Sequence, residues 1–449
     1  MLLPGEPAYE AGRRVFNGMV DRHPLAIIQC QGVADVVHAI NFARTKGIAV
    51  SVRGGGHNVA GLAICEGGIV IDLSRMRSVH VDPSRRRVWV QGGATWADVD
   101  RETQLFGLAS PGGLVSSTGV GGFTLGGGIG WLARQFGLAC DNLVGAEVVG
   151  PSGSVTRASP SENPDLLWAL RGGGGNFGVV TGFEFELHEV GPVVYGGAWF
   201  YRRDHAVDLL ENYSKVVENA SKKLTTLVAM VTGPPAPFLP PEVHGKPMIA
   251  FAFCYNGAPP EGEQALRPLR SALGTPVADL GGPIPYTALQ GMFDPSAPFG
   301  RLHYWKSHHL SRLDRSTAEA VVRVANAAPS PFSEVHLHQL GGQYARDPDG
   351  GSAYSNRGAP FVLNLIGQWL EPGDSDKNRK WARDSWEGLK SKSTGRSYVN
   401  FLADTDGTSV ESGYAPETFS RLRSIKHKFD PENFFRSNHN IPPVEKPGR

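Results

Sequence analysis

Residues 51–72 read SVRGGGHNVAGLAICEGGIVID, an apolar start that gives way to three glycines and then His57. Gly54, Gly55 and Gly56 lack a Cβ, so the main chain there can approach a bulky anionic ligand and aim successive N–H groups at a diphosphate. His57 would then stand beside that ligand. For the motif alone, a tight turn carrying a surface imidazole is the plainer alternative.

Working outward, residues 25–52 read strand, helix, strand. LAIIQC is a short apolar run, and GVADVVHAINFARTKG places Val33, Val36, Val37, Ile40 and Ala43 on one stripe with Gly47 as a C-cap. IAVSV then resumes a strand and feeds the glycine–histidine loop. Further strands are expected at 69–72 and 87–90, and a helix near 95–104. Residues 107–130, GLASPGGLVSSTGVGGFTLGGGIG, are too glycine-rich for a regular helix or strand core and suit wrapping a large ligand. Next come FGLACDNLVGAEVVGPSGSV and a helix, NPDLLWALR, running into GGGGNFGVVTGFEFEL. Gly173, Gly175 and Gly178 match G-x-G-x-x-G, but a helix precedes and a strand follows, the reverse of a dinucleotide fold. A Walker A loop is excluded by Pro247 after Gly245–Lys246.

Composition bounds the rest. The 449 residues exceed one ordinary core, and a net charge of +1 gives no reason to expect nucleic acid. The 57 glycines and 33 prolines are spread between apolar runs, which points to many tight turns. Four cysteines, Cys30, Cys65, Cys140 and Cys254, lie far apart and read as buried thiols. Arg13 and Arg14 are followed by no apolar run, and no stretch is long enough to span a membrane, so a cytoplasmic protein is expected. Beyond 190–194 the pattern changes to apolar strand candidates at 195–201, 248–255, 334–340, 361–369 and 398–402, separated by helices. That alternation implies a mostly antiparallel sheet with helices on one face.

Taken in order, VRGGGH, the GVGG and GGGIG stretches, GLACDN, GGGGNFGVV, YVNF and FDPENFFRSNHNI resemble bacterial berberine-bridge-enzyme-like FAD-linked oxidases of the vanillyl-alcohol oxidase / p-cresol methylhydroxylase superfamily. The resemblance covers nearly the whole chain. It implies an α+β fold of the PCMH type: an FAD-binding domain of two α+β subdomains over 1–191, a substrate-binding domain with an antiparallel sheet and covering helices over 192–410, and a segment at 411–449 returning to the FAD domain. In such a protein His57 bonds the 8α-methyl carbon of the isoalloxazine. The matching motif positions around the cofactor are Arg53, Gly54, Gly55, Gly56, Asn58, Gly113, Thr118, Gly119, Gly121, Gly122, Gly127, Gly128 and Gly130. Asp141 and Asn142 match an acid–amide pair. Asn176 and the backbone of Val179 and Val180 face the adenine half, and Tyr398, Asn400, Asn438 and Asn440 complete the set. Relatives with two covalent bonds carry a cysteine where this chain has Val115, so a single link through His57 is expected. Cys140 falls in GLACDN, where a small residue is enough. Thr118 aligns next to the place where dioxygen reaches reduced flavin, and a small side chain there implies oxidase behaviour with hydrogen peroxide as coproduct.

Relatives place a tyrosine, glutamate or aspartate on a strand to take the substrate proton, and strand periodicity offers candidates here, a simply wet outer sheet face being the plainer alternative. In SEVHLHQL, Glu334, His336 and His338 share one face while Val335 and Leu337 pack behind. Tyr398 and Asn400 of YVNF are expected to share a strand face in the same way. Glu334 and Tyr398 are the leading pair to take a substrate proton during hydride transfer, and loss of either is expected to slow flavin reduction by around 10². A zinc site at the HLH pair lacks an evident third ligand, and His308–His309 point to opposite faces, so no metal is expected. The expected partners are dioxygen and a small-molecule alcohol, amine or phenolic/polyketide substrate, with the chain a monomer or homodimer. Two other readings stay open here: a non-catalytic metabolite-sequestering flavoprotein, and an FAD dehydrogenase with a non-oxygen acceptor.

Overall fold

The computed structural model describes residues 1–405 and 410–444; residues 406–409 and 445–449, assigned above to the substrate and C-terminal segments, lie outside that description. The β-α-β entry forms as its pattern implies. Ala26–Gln29 and Val50–Arg53 flank Ile69–Asp72 in a three-stranded parallel sheet, covered by the helix Val33–Lys46. That helix ends on Gly47 at φ 65°, a left-handed cap that glycine adopts without a Cβ penalty.

A second, five-stranded antiparallel sheet runs Val79–Asp82, Arg87–Gln91, Val179–Glu186, Leu143–Val149, Val155–Ala158. Between its strands lie the helix Trp96–Thr103, whose start is fixed by a Thr95–Asp98 capping box, and the helix Pro164–Leu170. The glycine-rich stretch differs from expectation in one respect: Val120–Leu125 is a short helix despite Gly121 and Gly122. Tertiary packing overrides the low propensity there, because Val120 and Leu125 sit in the same core as Phe183 and Phe185.

From Val193 onward the chain builds an eight-stranded antiparallel sheet. Its path runs Ala278–Asp279, Val193–Arg202, Pro247–Tyr255, Leu224–Thr232, Glu334–Gln339, Phe361–Trp369, Leu302–Leu310, with Gly282–Pro285 also on the Val193 strand. The helices Ala206–Val217, Pro259–Leu273, Arg315–Asn326 and Ser375–Leu389 cover one face, and Val335, Leu337, Leu363 and Leu365 fill the core beneath them. The other face is turned toward the glycine loops. Residues 398–401 are not the strand expected. Val399–Phe401 is a single 3-10 turn, strapped to the Leu302–Leu310 strand where Ser307 Oγ accepts the Tyr398 N–H at 3.1 Å.

Several crossings join the halves. Asn17 donates to the Val59 and His303 carbonyls at 2.7 and 3.0 Å and accepts the His303 N–H at 2.9 Å. At the C-terminus, the helix Pro416–Phe429 carries the fully buried Lys426, which holds Asp430 Oδ2 at 2.7 Å and the Asn176 and Phe435 carbonyls. A buried charge is tolerated only when paired and hydrogen-bonded, so this centre pins residues 430–441 onto the first half.

Candidate active site

A cavity of about 350 Å³ lies between the glycine loops and the bare face of the eight-stranded sheet. Its first wall is main chain: Gly54, Gly55, Gly56, Gly119, Gly121, Gly122, Gly174 and Gly175 line it. Close approach dictates the residue type. A Cβ on Gly55 would stand 2.3 Å from Gly119 N, and one on Gly119 as close to Gly55 N. Gly122 and Gly175 have nothing within 4 Å of a would-be Cβ, so any side chain there would project into the cavity. Among the described residues, no lysine or arginine lines it. An anion held here depends on main-chain N–H groups.

His57 closes that wall. Its ring stacks on Phe16 at 4.7 Å, Phe16 stacks on His303 at 4.6 Å, and Phe299 meets His57 edge-on at 5.0 Å. Burial pushes the His57 pKa down to about 4, against an opposing pull from the Asp294 carboxylate and the Ser117 backbone. The imidazole is therefore neutral near pH 7, with Nε2 3.0 Å from Ser117 Oγ.

The second wall is written by strand register. Trp305, Ile366 and Glu334 stand side by side on three adjacent strands, Ser307, Asn364 and His336 form the next row, and His309, Val362 and His338 the third; Ser307, His309 and Val362 lie outside the lining. His336 Nε2 is 2.6 Å from Glu334 Oε2. Burial pushes His338 and His303 down to about 3, so both are neutral. His303 Nδ1 accepts the Trp305 indole N–H at 3.2 Å, which leaves the proton on Nε2. Tyr398 and Asn400 meet despite the missing strand, because the 3-10 turn brings Asn400 Nδ2 to Tyr398 Oη at 2.9 Å. The Gly128 N–H also donates to that oxygen at 2.8 Å. Burial nonetheless pushes the phenol pKa up, so Tyr398 keeps its proton at neutral pH.

Several sequence-stretch assignments fall elsewhere. Arg53 is outside the wall, tied to Asp72 at 2.7 Å and to the Gly12 carbonyl. Asp141 is taken by Arg357 at 2.6 Å, and Asn142 Oδ1 by His188 at 2.6 Å, so both brace loops instead of lining the site. Gly127, Gly128 and Gly130 pack against protein: Cβ atoms there would meet Tyr354, Ala139 and the Gly112 carbonyl, respectively. Asn176 hydrogen-bonds the Gly173 and His439 carbonyls and accepts the Ile441 N–H, and Val179, whose side chain is in the parallel-sheet core, is not among the lining residues. Asn440 lies one residue past the lining, which ends at His439. Asn58, Gly113, Thr118, Val180 and Asn438 do line it, with the glycines, His57, Glu334, His336, His338, Tyr398 and Asn400 already placed. Sequence reasoning missed Phe16, His303, Trp305, Asn364, Gln368 and His439. The period-2 alternation of LHYWKSHHL was the available signal for His303 and Trp305.

The donor set suits FAD. The glycine-lined main chain can offer its N–H groups to a diphosphate, Gly122 and Gly175 leave open space toward the cavity, and Asn438 Oδ1 and both His439 ring nitrogens are buried without a protein partner. Among the described residues no cluster of three or more His, Cys, Asp or Glu side chains is arranged to hold a metal, and no helix is long and apolar enough to cross a membrane.

Comparison with known proteins defines the class. Residues 24–159 match the FAD binding domain model and residues 397–442 the berberine and berberine-like model. An FAD-linked oxidoreductase of Dictyostelium discoideum is 34% identical over 443 residues, 96% of this chain and 91% of that protein. The (R)-6-hydroxynicotine oxidase of Paenarthrobacter nicotinovorans is 30% identical over 455 residues, 99% and 96% of the two chains. The crystal structure of 6-hydroxy-D-nicotine oxidase from Arthrobacter nicotinovorans superposes with a TM-score of 0.89 at 27% identity, covering 99% and 97%. The chain belongs to the berberine-bridge-enzyme-like family and is an FAD-dependent oxidoreductase with the PCMH-type α+β fold.

Proposed function

We propose that this protein is an oxidase carrying FAD on a single covalent bond to His57, and that it removes a hydride from a small-molecule alcohol, amine or phenolic substrate while dioxygen becomes hydrogen peroxide. One observation carries the reading: a neutral, buried imidazole ends a glycine-walled trough that continues without interruption to an acid–imidazole pair on the sheet. Bound FAD supplies the two-electron acceptor. The remaining tasks fall to the chain.

Glu334, hydrogen-bonded to His336, takes the proton that leaves the substrate O–H or N–H as the hydride departs. His338 and Asn364 stand beside that pair and orient the substrate through polar atoms without a protein partner, Nε2 and Oδ1. Tyr398, protonated and clamped by two N–H donors, shapes the wall and does not act as the base. Phe293, Trp305 and Phe401 give an aromatic rim suited to a ring-bearing substrate. Among the described residues, a phosphorylated or carboxylate substrate finds no cationic side chain in the lining. Val115 and Thr118 both line the cavity; Cys140, fully buried, does not. That arrangement favours one covalent link, and the small Thr118 leaves an approach for dioxygen. The hydroxynicotine oxidase relative supports an oxidase over a dehydrogenase.

Acid precipitation tests the bond, because a yellow pellet is expected and a colourless pellet with free FAD in the supernatant contradicts it. Anaerobic bleaching of the flavin against a panel of alcohols, amines and phenols, followed by peroxide release on admitting air, tests the reaction. A flavin that no binding ligand bleaches would instead mark a sequestering protein.

A further inference from the structure

The wall behind His57 is held by contacts that cross from one half of the molecule to the other. Ser117 Oγ lies 3.0 Å from His57 Nε2. Ser117 is not part of the cavity surface, whereas its neighbours Val115 and Thr118 and His57 itself are. Nε2 is thus turned into the wall, and Nδ1 is the nitrogen left for the cavity. Ser116, next in the chain, gives its N–H and its hydroxyl to the two carboxylate oxygens of Asp294, at 2.8 and 2.6 Å. The other side of this loop is fixed by the Trp96 N–H on the Thr118 carbonyl at 3.0 Å and the Ala97 N–H on the Ser116 carbonyl at 2.9 Å. Asp294 opens the 3-10 turn Asp294–Ser296, just before the Leu302–Leu310 strand, so it belongs to the half that carries the substrate sheet.

We propose that Ser117 and Asp294 are positioning residues for flavin attachment. Ser117 engages the Nε2–H of His57 so that Nδ1 presents its lone pair to the ring methyl carbon, and Asp294 locks the loop that carries Ser117. The proposal rests on the covalent reading above and adds the residues that make the bond form. In the step itself a C–N bond to Nδ1 replaces one methyl C–H bond. The methyl proton is lost, and the Nε2 proton leaves along the Ser117 hydrogen bond. The two electrons pass to the flavin and then, with the two protons, to dioxygen, giving hydrogen peroxide. While the bond forms, the alkylated imidazole is cationic until Nε2 releases its proton. The Asp294 carboxylate already favours positive charge on His57, against burial, and so stabilises that transient cation. The imidazole is aimed only after the substrate half has docked and Asp294 has reached Ser116.

The full-length chain and its Ser117→Ala, Ser117→Thr, Asp294→Asn and His57→Ala variants are incubated with excess FAD in air. Covalent flavin is followed over time as fluorescence of the acid-precipitated chain and as intact mass; non-covalent binding is followed by the visible spectrum. Ser117→Ala is expected to bind FAD yet attach it about 10-fold more slowly, the size of one hydrogen bond to a reacting group. Ser117→Thr keeps the hydroxyl and restores the rate. Asp294→Asn is expected to slow attachment about 3-fold or more, since it removes charge but keeps shape. Attachment at the wild-type rate in both Ser117→Ala and Asp294→Asn overturns the proposal, as does equal slowing in Ser117→Ala and Ser117→Thr, which would assign Ser117 to packing. Should Ser117→Ala fail to fold, the near-isosteric Asp294→Asn decides. A wild-type chain without acid-stable flavin, or a His57→Ala chain that still acquires it, would sink the covalent reading and not merely its positioning residues.

Discussion

The two walls of the cavity are built on opposite principles. On the cofactor side the ligand-facing surface is main chain, and Gly55 and Gly119 approach so closely that a Cβ on either would stand 2.3 Å from the other's backbone nitrogen. On the sheet side the surface is side chain, with Trp305, Ile366 and Glu334 in one register row and Asn364 and His336 in the next. A backbone wall admits few changes, because any side chain alters its shape. A register wall can exchange chemistry position by position while the sheet beneath, packed through Val335 and Leu337, stays as it is. The difference separates residues that hold the cofactor from residues that choose the substrate.

Acid should break both walls together, and this is the largest expected effect. Burial, the leading cause in each case, pushes His57, His308 and His439 to about 4 and His303, His309 and His338 to about 3. In the unfolded chain each imidazole titrates near 6.5, so below that pH the unfolded state binds protons that the folded state refuses. Stability therefore falls as pH drops from about 6.5 toward 4, by up to ~1.4 kcal/mol per pH unit for each imidazole. Thermal unfolding followed from pH 7.5 to 4.5 should show Tm dropping steeply below about pH 6.5, and His338→Asn should make the slope shallower. A flat profile would contradict neutral burial of these rings.

A single substitution on the sheet wall comes next. Glu334→Gln should slow anaerobic flavin reduction by about 10²–10⁴ without loosening the flavin; an unchanged rate removes Glu334 from the chemistry. Asp141→Asn probes a residue behind the glycine wall. It leaves the buried Arg357 guanidinium short of a charge and should destabilise the fold by about 3 kcal/mol, the low end for a buried pair, because Asp347 still reaches Arg357 at 2.8 Å. The flavin spectrum should not move, and a shifted spectrum would return Asp141 to the cofactor. The smallest effect is expected from Tyr398→Phe. It strips the acceptor from the Gly128 and Asn400 N–H groups and should cost about 1–3 kcal/mol of stability, with less than about a 10-fold change in flavin reduction. A loss as large as that of Glu334→Gln would restore Tyr398 as the base.

Legibility followed the same division. The glycine wall announced itself through residue type, since repeated absence of a Cβ has few other uses, and the β-α-β entry through its 3.6-residue period. Errors came where one motif serves two ends: Gly121 and Gly122 line the cavity, whereas Gly127 and Gly128, a few residues on, admit Tyr354, Ala139 and Phe123. Asp141 and Arg53 looked like cofactor ligands because they sit inside cofactor motifs, yet each is held by a charged partner, Arg357 through chain closure and Asp72 through strand pairing. Tyr398 and Asn400 met through a 3-10 turn although a strand was expected, because i and i+2 also converge when the intervening residue curls toward the core.

Residue order alone determined that a glycine-lined main-chain trough ends at His57 and that Glu334, His336 and His338 share a face, because both depend on local geometry: a missing Cβ and a two-residue period. Tertiary structure alone decided that Phe16, His303, Trp305, Asn364 and His439 join them, that Ser117 takes one nitrogen of His57, and that Asp294 reaches across to Ser116. Those contacts link residues as far apart in the chain as Phe16 and His303, and such proximity is set by how sheet register and packed cores close the chain on itself, which no local pattern encodes.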